Sequence, residues 1–185
     1  VYDRIVFDSE HVSFVGCDDE RVILINSFSK TYAMTGWRIG YIMSANKEAM
    51  NQMIKLQYYI TACSNDAMQY AVLTAINDAD DYPDEMCAEF KARRDLICSR
   101  LNKMPGVQCH VPEGAFYVFP KVDVPGMTSE EVAIELLKGG VLCSPGSAFG
   151  PSGEGHLRFA YTISREDISL GMDKTEAVLM RLRGD

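Results

Sequence analysis

The chain has 185 residues, of which 47% are hydrophobic and 24% charged, a balance that predicts a folded globular protein and excludes disorder and collagen-like repeats. No apolar run approaches the ~18 residues that a membrane helix needs, so a membrane protein is not expected. The formal charge of −8, from 26 acidic and 18 basic residues, repels phosphate backbones and argues against nucleic acid as a partner, while a single Arg can still hold a small anion.

Residues 5–7, 22–25 and 39–43 are short apolar runs rich in β-branched side chains, the pattern of buried strands. Met50, Met53, Ile54 and Leu56 recur at helical spacing and predict a helix over 47–58, with another over 65–77. Strands mixed with helices give residues 1–80 an α/β character. Pro83, Asp84 and Glu85 then open a helix with Met86, Phe90, Ile97 and Leu101 on one stripe, stopped by Pro105-Gly106. Residues 107–110 and 115–119 read as two strands joined by the turn Pro112-Glu113-Gly114. Thr128-Ser129-Glu130-Glu131 is a capping box whose helix ends at Gly139-Gly140. Residues 141–143 and 157–161 predict further strands, and Ser164 caps a last helix striped with Ile168, Met172, Leu179 and Leu182. Residues 81–185 thus predict an α+β domain.

Cys17, Cys63, Cys87, Cys98, Cys109 and Cys143 contain no Cys-x-x-Cys pair and read as reduced, packed thiols of a cytoplasmic protein. His11, His110 and His156 lack metal-ligand spacing, and no metal is expected. The chain opens Val-Tyr-Asp with neither an initiator Met nor a signal segment, which reads as a fragment of a longer protein.

The segment Asn26-Ser-Phe-Ser-Lys-Thr-Tyr-Ala-Met-Thr-Gly-Trp-Arg-Ile-Gly40 carries the most chemistry. Lys30 leaves the end of a predicted buried strand, where partial loss of hydration keeps an amine nucleophilic. Ser27, Ser29 and Arg38 could together hold a phosphate, the guanidinium gripping it with two bonds. An amine beside a phosphate cradle suits pyridoxal phosphate, whose aldehyde forms a Schiff base while its phosphate anchors the ring.

Ser27-Phe28-Ser29-Lys30 followed by Gly36-Trp37-Arg38-Ile39-Gly40 closely resembles the cofactor-lysine signature of the fold-type I, class I and II aminotransferases. Pro112-Glu-Gly-Ala-Phe-Tyr117, Val141-Leu-Cys-Ser-Pro-Gly-Ser-Ala-Phe-Gly150 and His156-Leu-Arg158-Phe-Ala-Tyr161 resemble three more motifs of that family, in family order. The resemblance implies an α/β fold: residues 1–80 as the rear part of the large cofactor domain and 81–185 as the α+β small C-terminal domain. It implies Lys30 as the Schiff-base lysine and proton shuttle, Ser27, Ser29 and Arg38 on the phosphate, Tyr2 on the cofactor's phenolic oxygen, and Arg158 on the substrate carboxylate. It also implies amino-acid and 2-oxo-acid substrates, transfer of the amino group between them, and a homodimer. The family's aspartate for the pyridine nitrogen falls at position −1, ahead of this chain, so the fragment alone is expected to be inactive.

Other readings compete. Ser27-x-x-Lys30 also fits the acylated serine of penicillin-binding proteins and class A β-lactamases, which needs Ser-Asp-Asn and Lys-Thr-Gly downstream. The chain offers Ser64-Asn65-Asp66 and no Lys-Thr-Gly. Lys30 could be a solvated loop lysine, and Arg38 or Arg158 a salt-bridge partner, although a charge within Leu157-Arg-Phe-Ala needs a reason. A noncatalytic ligand-sensing domain of a regulator and a pyridoxal-phosphate-dependent β-lyase would share these motifs.

Overall fold

The chain starts with a turn, closed by the Ile5 N–H donating to the Tyr2 carbonyl at 3.0 Å, which withdraws Ile5 wholly from solvent. The computed structural model describes every residue except Asp18, Asp80 and Asp185, so Asp80, the last residue of the expected first domain, lies outside the described residues. The chain separates into two units, Val1–Cys87 and Ala88–Asp185.

In the first unit β1 (Leu24–Ser27) and β2 (Gly40–Met43) pair antiparallel, with Leu24 opposite Met43 and Ser27 opposite Gly40. A single helical turn, α1 (Phe28–Thr31), and a 3-10 turn (Thr35–Trp37) connect them. Two helices follow, α2 (Lys47–Thr61) and α3 (Asp66–Asp78). Each starts on an asparagine whose side chain takes an orphan helix donor: Asn46 accepts from the Ala49 N–H at 2.9 Å and Asn65 from the Met68 N–H at 3.4 Å. α4 (Tyr82–Leu101) begins in this unit. Its first turn ties down the start of the chain, through Arg4 to Asp84 at 2.9 Å and the Cys87 thiol to the Val6 carbonyl at 3.3 Å.

Two expectations are corrected here. Residues 5–7 form no strand beyond a single bridge residue at Val6: the Ile5 N–H closes the opening turn and the Val6 carbonyl accepts from the Cys87 thiol. The strands at 24–27 and 40–43 are not buried: β2 is exposed along its length and Ile25 of β1 is 70% exposed.

The second unit contains the rest of α4, then β3 (Val107–Gln108), β4 (Tyr117–Val118), β5 (Lys121–Val122), α5 (Ser129–Lys138), β6 (Ser144–Pro145), β7 (Leu157–Ala160) and α6 (Arg165–Arg183). β7 is the centre of an antiparallel sheet in the order β4-β7-β6. The expected hairpin between 107–110 and 115–119 does not form, because β3 pairs with β5 and β4 with β7. Asn102 explains why: its side chain accepts from the Cys109 N–H at 2.8 Å and donates to the Cys109 carbonyl at 2.9 Å, occupying groups a hairpin ladder would use. Residues 141–143 likewise precede the strand, since the Val141 N–H closes the end of α5 on the Leu136 carbonyl at 2.9 Å.

Local signals in this unit coincide with packing. Thr128 and Glu131 form the expected capping box, and α5 buries Val132, Ala133 and Leu136. Ser164 caps α6, which buries Ile168, Met172, Val178 and Leu179 on one stripe. Leu101, Val118, Leu136, Leu157, Tyr161 and Leu179 are fully enclosed, each such apolar side chain contributing roughly 1.5–3 kcal/mol. Gly146 and Gly153 meet backbone to backbone, and a Cβ on either would run into the other's carbonyl oxygen, so the turns after β6 require glycine. Among the described residues no helix is long and apolar enough to cross a membrane.

Candidate active site

The ribbon positions the first group of residues. Ser27 ends β1 opposite Gly40, and a Cβ on Gly40 would sit 2.6 Å from the Asn26 carbonyl oxygen and 3.2 Å from the Ser27 Cβ. Only glycine lets the strands close there, which draws the residues before Gly40 against the end of β1. Arg38 takes the left-handed conformation at φ 54° as the 3-10 turn ends, and its guanidinium donates to the Thr35 carbonyl at 2.7 Å.

Ser27, Ser29 and Arg38 line one open cavity of about 690 Å³, with Ile39, Met53 and Tyr58 on its apolar side. Two hydroxyls and a guanidinium in one concavity fit an anion such as a phosphoryl group. Lys30 is the next residue after Ser29, half-buried on α1. It is not in the lining of that cavity, and the strand before it is not the buried one expected. Tyr2 is half-buried and caps the opening turn with its carbonyl.

No motif singles out Asp3. Its carboxylate accepts from the Asn26 amide at 3.1 Å and from the Thr31 hydroxyl at 3.4 Å. It thereby links the chain start to both ends of the lysine turn. Asn26 also accepts, through its side-chain oxygen, from the Ser27 N–H at 2.8 Å. Nothing in the spacing of residues 3, 26 and 31 announces this contact, which depends on how the opening turn lies.

Arg158 belongs to the second unit, on β7 opposite Ser144. It forms no salt bridge among the described residues. Instead its guanidinium carbon lies 4.6 Å from the centre of the Tyr117 ring and 4.3 Å from that of Phe149. Behind it, Tyr161 is fully buried with its hydroxyl donating to the Ala115 carbonyl at 3.1 Å, and burial pushes that phenol well above its usual range. Burial also pushes the Cys143 thiol up to about 11. No group of three metal-capable side chains comes together among the described residues.

Comparison with known proteins places these features in one family. The family model for aminotransferase class I and II matches residues 1–174. A probable aspartate aminotransferase of Methanocaldococcus jannaschii is 45% identical over 181 residues, covering 94% of this chain and 47% of that protein. The aromatic-amino-acid aminotransferase 2 of Thermococcus litoralis is 38% identical over 185 residues, 97% of this chain and 47% of its own. Among solved structures, the aromatic aminotransferase of Pyrococcus horikoshii superposes with a TM-score of 0.91 at 38% identity, over 98% of this chain and 49% of that one. The chain therefore spans about half the length of the relatives it matches, and its mixed α/β architecture is part of the fold-type I aminotransferase fold. These relatives favour neither a regulator's sensing domain nor a β-lyase. The chain belongs to the aminotransferase class I and II family.

Proposed function

We propose that this chain is the lysine-bearing and carboxylate-binding part of a pyridoxal-phosphate-dependent aminotransferase, moving an amino group from an α-amino acid to a 2-oxo acid. Residues 1–80 serve as the rear of the cofactor domain and 81–185 as the small domain. The observation that carries this reading is the shared cavity of Ser27, Ser29 and Arg38, with Lys30 next in the chain after Ser29, in a chain matched by the aminotransferase family along nearly its whole length.

Ser27 and Ser29 would donate hydroxyl hydrogen bonds to the cofactor's phosphate, to which Arg38 would add its charge, and Tyr2 would donate to the phenolic oxygen. Pyridoxal phosphate, when bound, supplies an aldehyde and an electron-withdrawing ring that acidifies the hydrogen on the substrate α-carbon. The Lys30 Nζ would hold that aldehyde until the substrate's own amine displaced it, and the freed amine would then move the α-proton. Arg158 would grip the α-carboxylate through two parallel N–H bonds. The substrates are aspartate or aromatic amino acids, as the names of the relatives suggest. The whole enzyme is a cytoplasmic homodimer.

Borohydride trapping of the full-length protein with pyridoxal phosphate, followed by peptide mapping, tests this. A single phosphopyridoxyl adduct on Lys30, lost in Lys30→Ala, is expected. Labelling scattered over surface lysines of the full-length protein would overturn the cofactor site.

A further inference from the structure

Tyr117 on β4 pairs with Ala160 on β7, so Arg158, two residues earlier on β7, is its diagonal neighbour on the same sheet face. Phe149 arrives from a different element, the 3-10 turn Gly146–Phe149 that follows β6. The two rings stand 4.6 Å and 4.3 Å from the Arg158 guanidinium carbon, well inside the ~6 Å range of cation–π attraction. Phe149 is itself braced edge-on by Phe119, with ring centres 5.9 Å apart at 87°, and Phe119 stacks on His156 at 5.1 Å. No described residue accepts a hydrogen bond from the Arg158 guanidinium.

We propose that Tyr117 and Phe149 are positioning residues that clamp Arg158, leaving its donor edge for the substrate carboxylate. The proposal rests on the reading of Arg158 as the carboxylate-binding residue. A long arginine side chain must give up rotamer freedom to make a two-pronged bond, and a preorganised guanidinium gives up less of it on binding. Rings can hold the group by its faces without spending its N–H donors. An acidic anchor would do the reverse, satisfying those donors, neutralising the charge and competing with the incoming carboxylate. Phe149 is half-exposed, so little of its area is needed for packing, and the 3-10 turn carrying it is fixed by the Gly146–Gly153 approach. That combination gives a rigid mount for an aromatic face at the edge of the sheet.

The test measures the affinity of the full-length holoenzyme for succinate, an unreactive dicarboxylate, alongside KM and kcat for the 2-oxo acid. Phe149→Leu and Tyr117→Leu should each weaken succinate and raise KM about three- to tenfold, the range of a partly desolvated cation–π contact, with kcat changed less than about twofold. Phe149→Tyr keeps the face and should restore the affinity. Independently of turnover, the arginine Nε–Hε NMR signal of Arg158 should lie upfield of the other arginines through ring currents, and move back in Phe149→Leu. If Arg158→Leu leaves succinate binding intact, the carboxylate reading itself falls. If Arg158→Leu weakens succinate while both ring variants bind it normally and the Arg158 signal stays put, the clamp alone is overturned.

Discussion

The two units draw on similar helices and strands but bury them very differently. In Ala88–Asp185 the faces of α5, α6 and β7 converge on side chains that solvent does not reach, Leu101, Leu136, Leu157 and Leu179 among them. In Val1–Cys87 the buried apolar side chains among the described residues are Ile5, Val72, Ala75 and Pro83, while Ile25, Leu56, Tyr58, Tyr59 and Tyr70 are more than half exposed. Helices of this length owe most of their stability to tertiary packing and little to propensity. The lysine turn and the phosphate-type cavity therefore sit on elements held by caps, a ribbon and a few side-chain ties, whereas the arginine of the second unit sits on a packed sheet. Secondary structure alone does not distinguish the two units; burial does.

The sharpest way to break that comparison is to truncate one leucine in each unit. Leu136→Ala, in a fully enclosed site, should cost about 2–5 kcal/mol in urea unfolding, the sum of lost burial and a residual cavity. Leu56→Ala on α2, where the side chain is 58% exposed, should stay within ~0.5 kcal/mol. An equal loss at both positions would mean that α2 is covered in solution, and the contrast between the units would fall.

A smaller effect separates local from global stability. Thr128 accepts from the Glu131 N–H at 3.3 Å, and Asn46 from the Ala49 N–H at 2.9 Å, so removing either cap should cost its helix about 1 kcal/mol. Thr128→Ala should lower the cooperative unfolding midpoint, because α5 is part of a core. Asn46→Ala should instead raise amide exchange along α2 and leave that midpoint nearly unmoved, as expected for a segment that opens on its own. A common shift in the midpoint would show that the two units unfold as one.

What could be read from the sequence follows the same divide. Helices are legible in both units because their signals are local: apolar spacing marks α2, and Thr128 and Ser164 stand where α5 and α6 begin. Strand partners are not. Residues 107–110 and 115–119 look like a hairpin, and only the Asn102 clamp on Cys109 sends them to different sheets. Periodicity reports which side chains are apolar but not whether a second layer covers them, so β1 and β2 read as buried and are not. The motifs point to Ser27, Ser29, Lys30, Arg38 and Arg158 as candidates, and of these Ser27, Ser29 and Arg38 share one cavity. The Asp3–Asn26 bridge spans 23 positions and the Tyr117–Arg158 contact still more, and single motifs do not encode that.

The smallest expected effect is on acid stability, and it also divides the units. Four carboxylates of the second unit are held below the usual range. Backbone and hydroxyl donors of Thr128 lower Glu131; the N–H groups of Ser129 and Gly155 lower Glu154; Arg165 and then Arg93 lower Glu89; and Lys138 lowers Glu135. In the first unit Asp19 is lowered by Arg21, only two residues away, a pairing the unfolded chain can largely keep. A depressed folded value means that the unfolded state binds more protons, so this stability is fully present above the ordinary carboxylate value near ~4.3 and is lost as pH falls through the folded values. All these groups are exposed, so each contributes little. Melting followed by circular dichroism from pH 7 to pH 3 should therefore show a modest, progressive fall in the midpoint of the second unit. Salt at high concentration should blunt the share owed to the ion pairs of Glu89 and Glu135. Glu154→Gln should remove part of the remainder, because its hold on Ser129 reaches across 25 positions and exists only in the folded chain. A midpoint that does not depend on pH below 5 would show that these donors are satisfied equally well by water in the unfolded state.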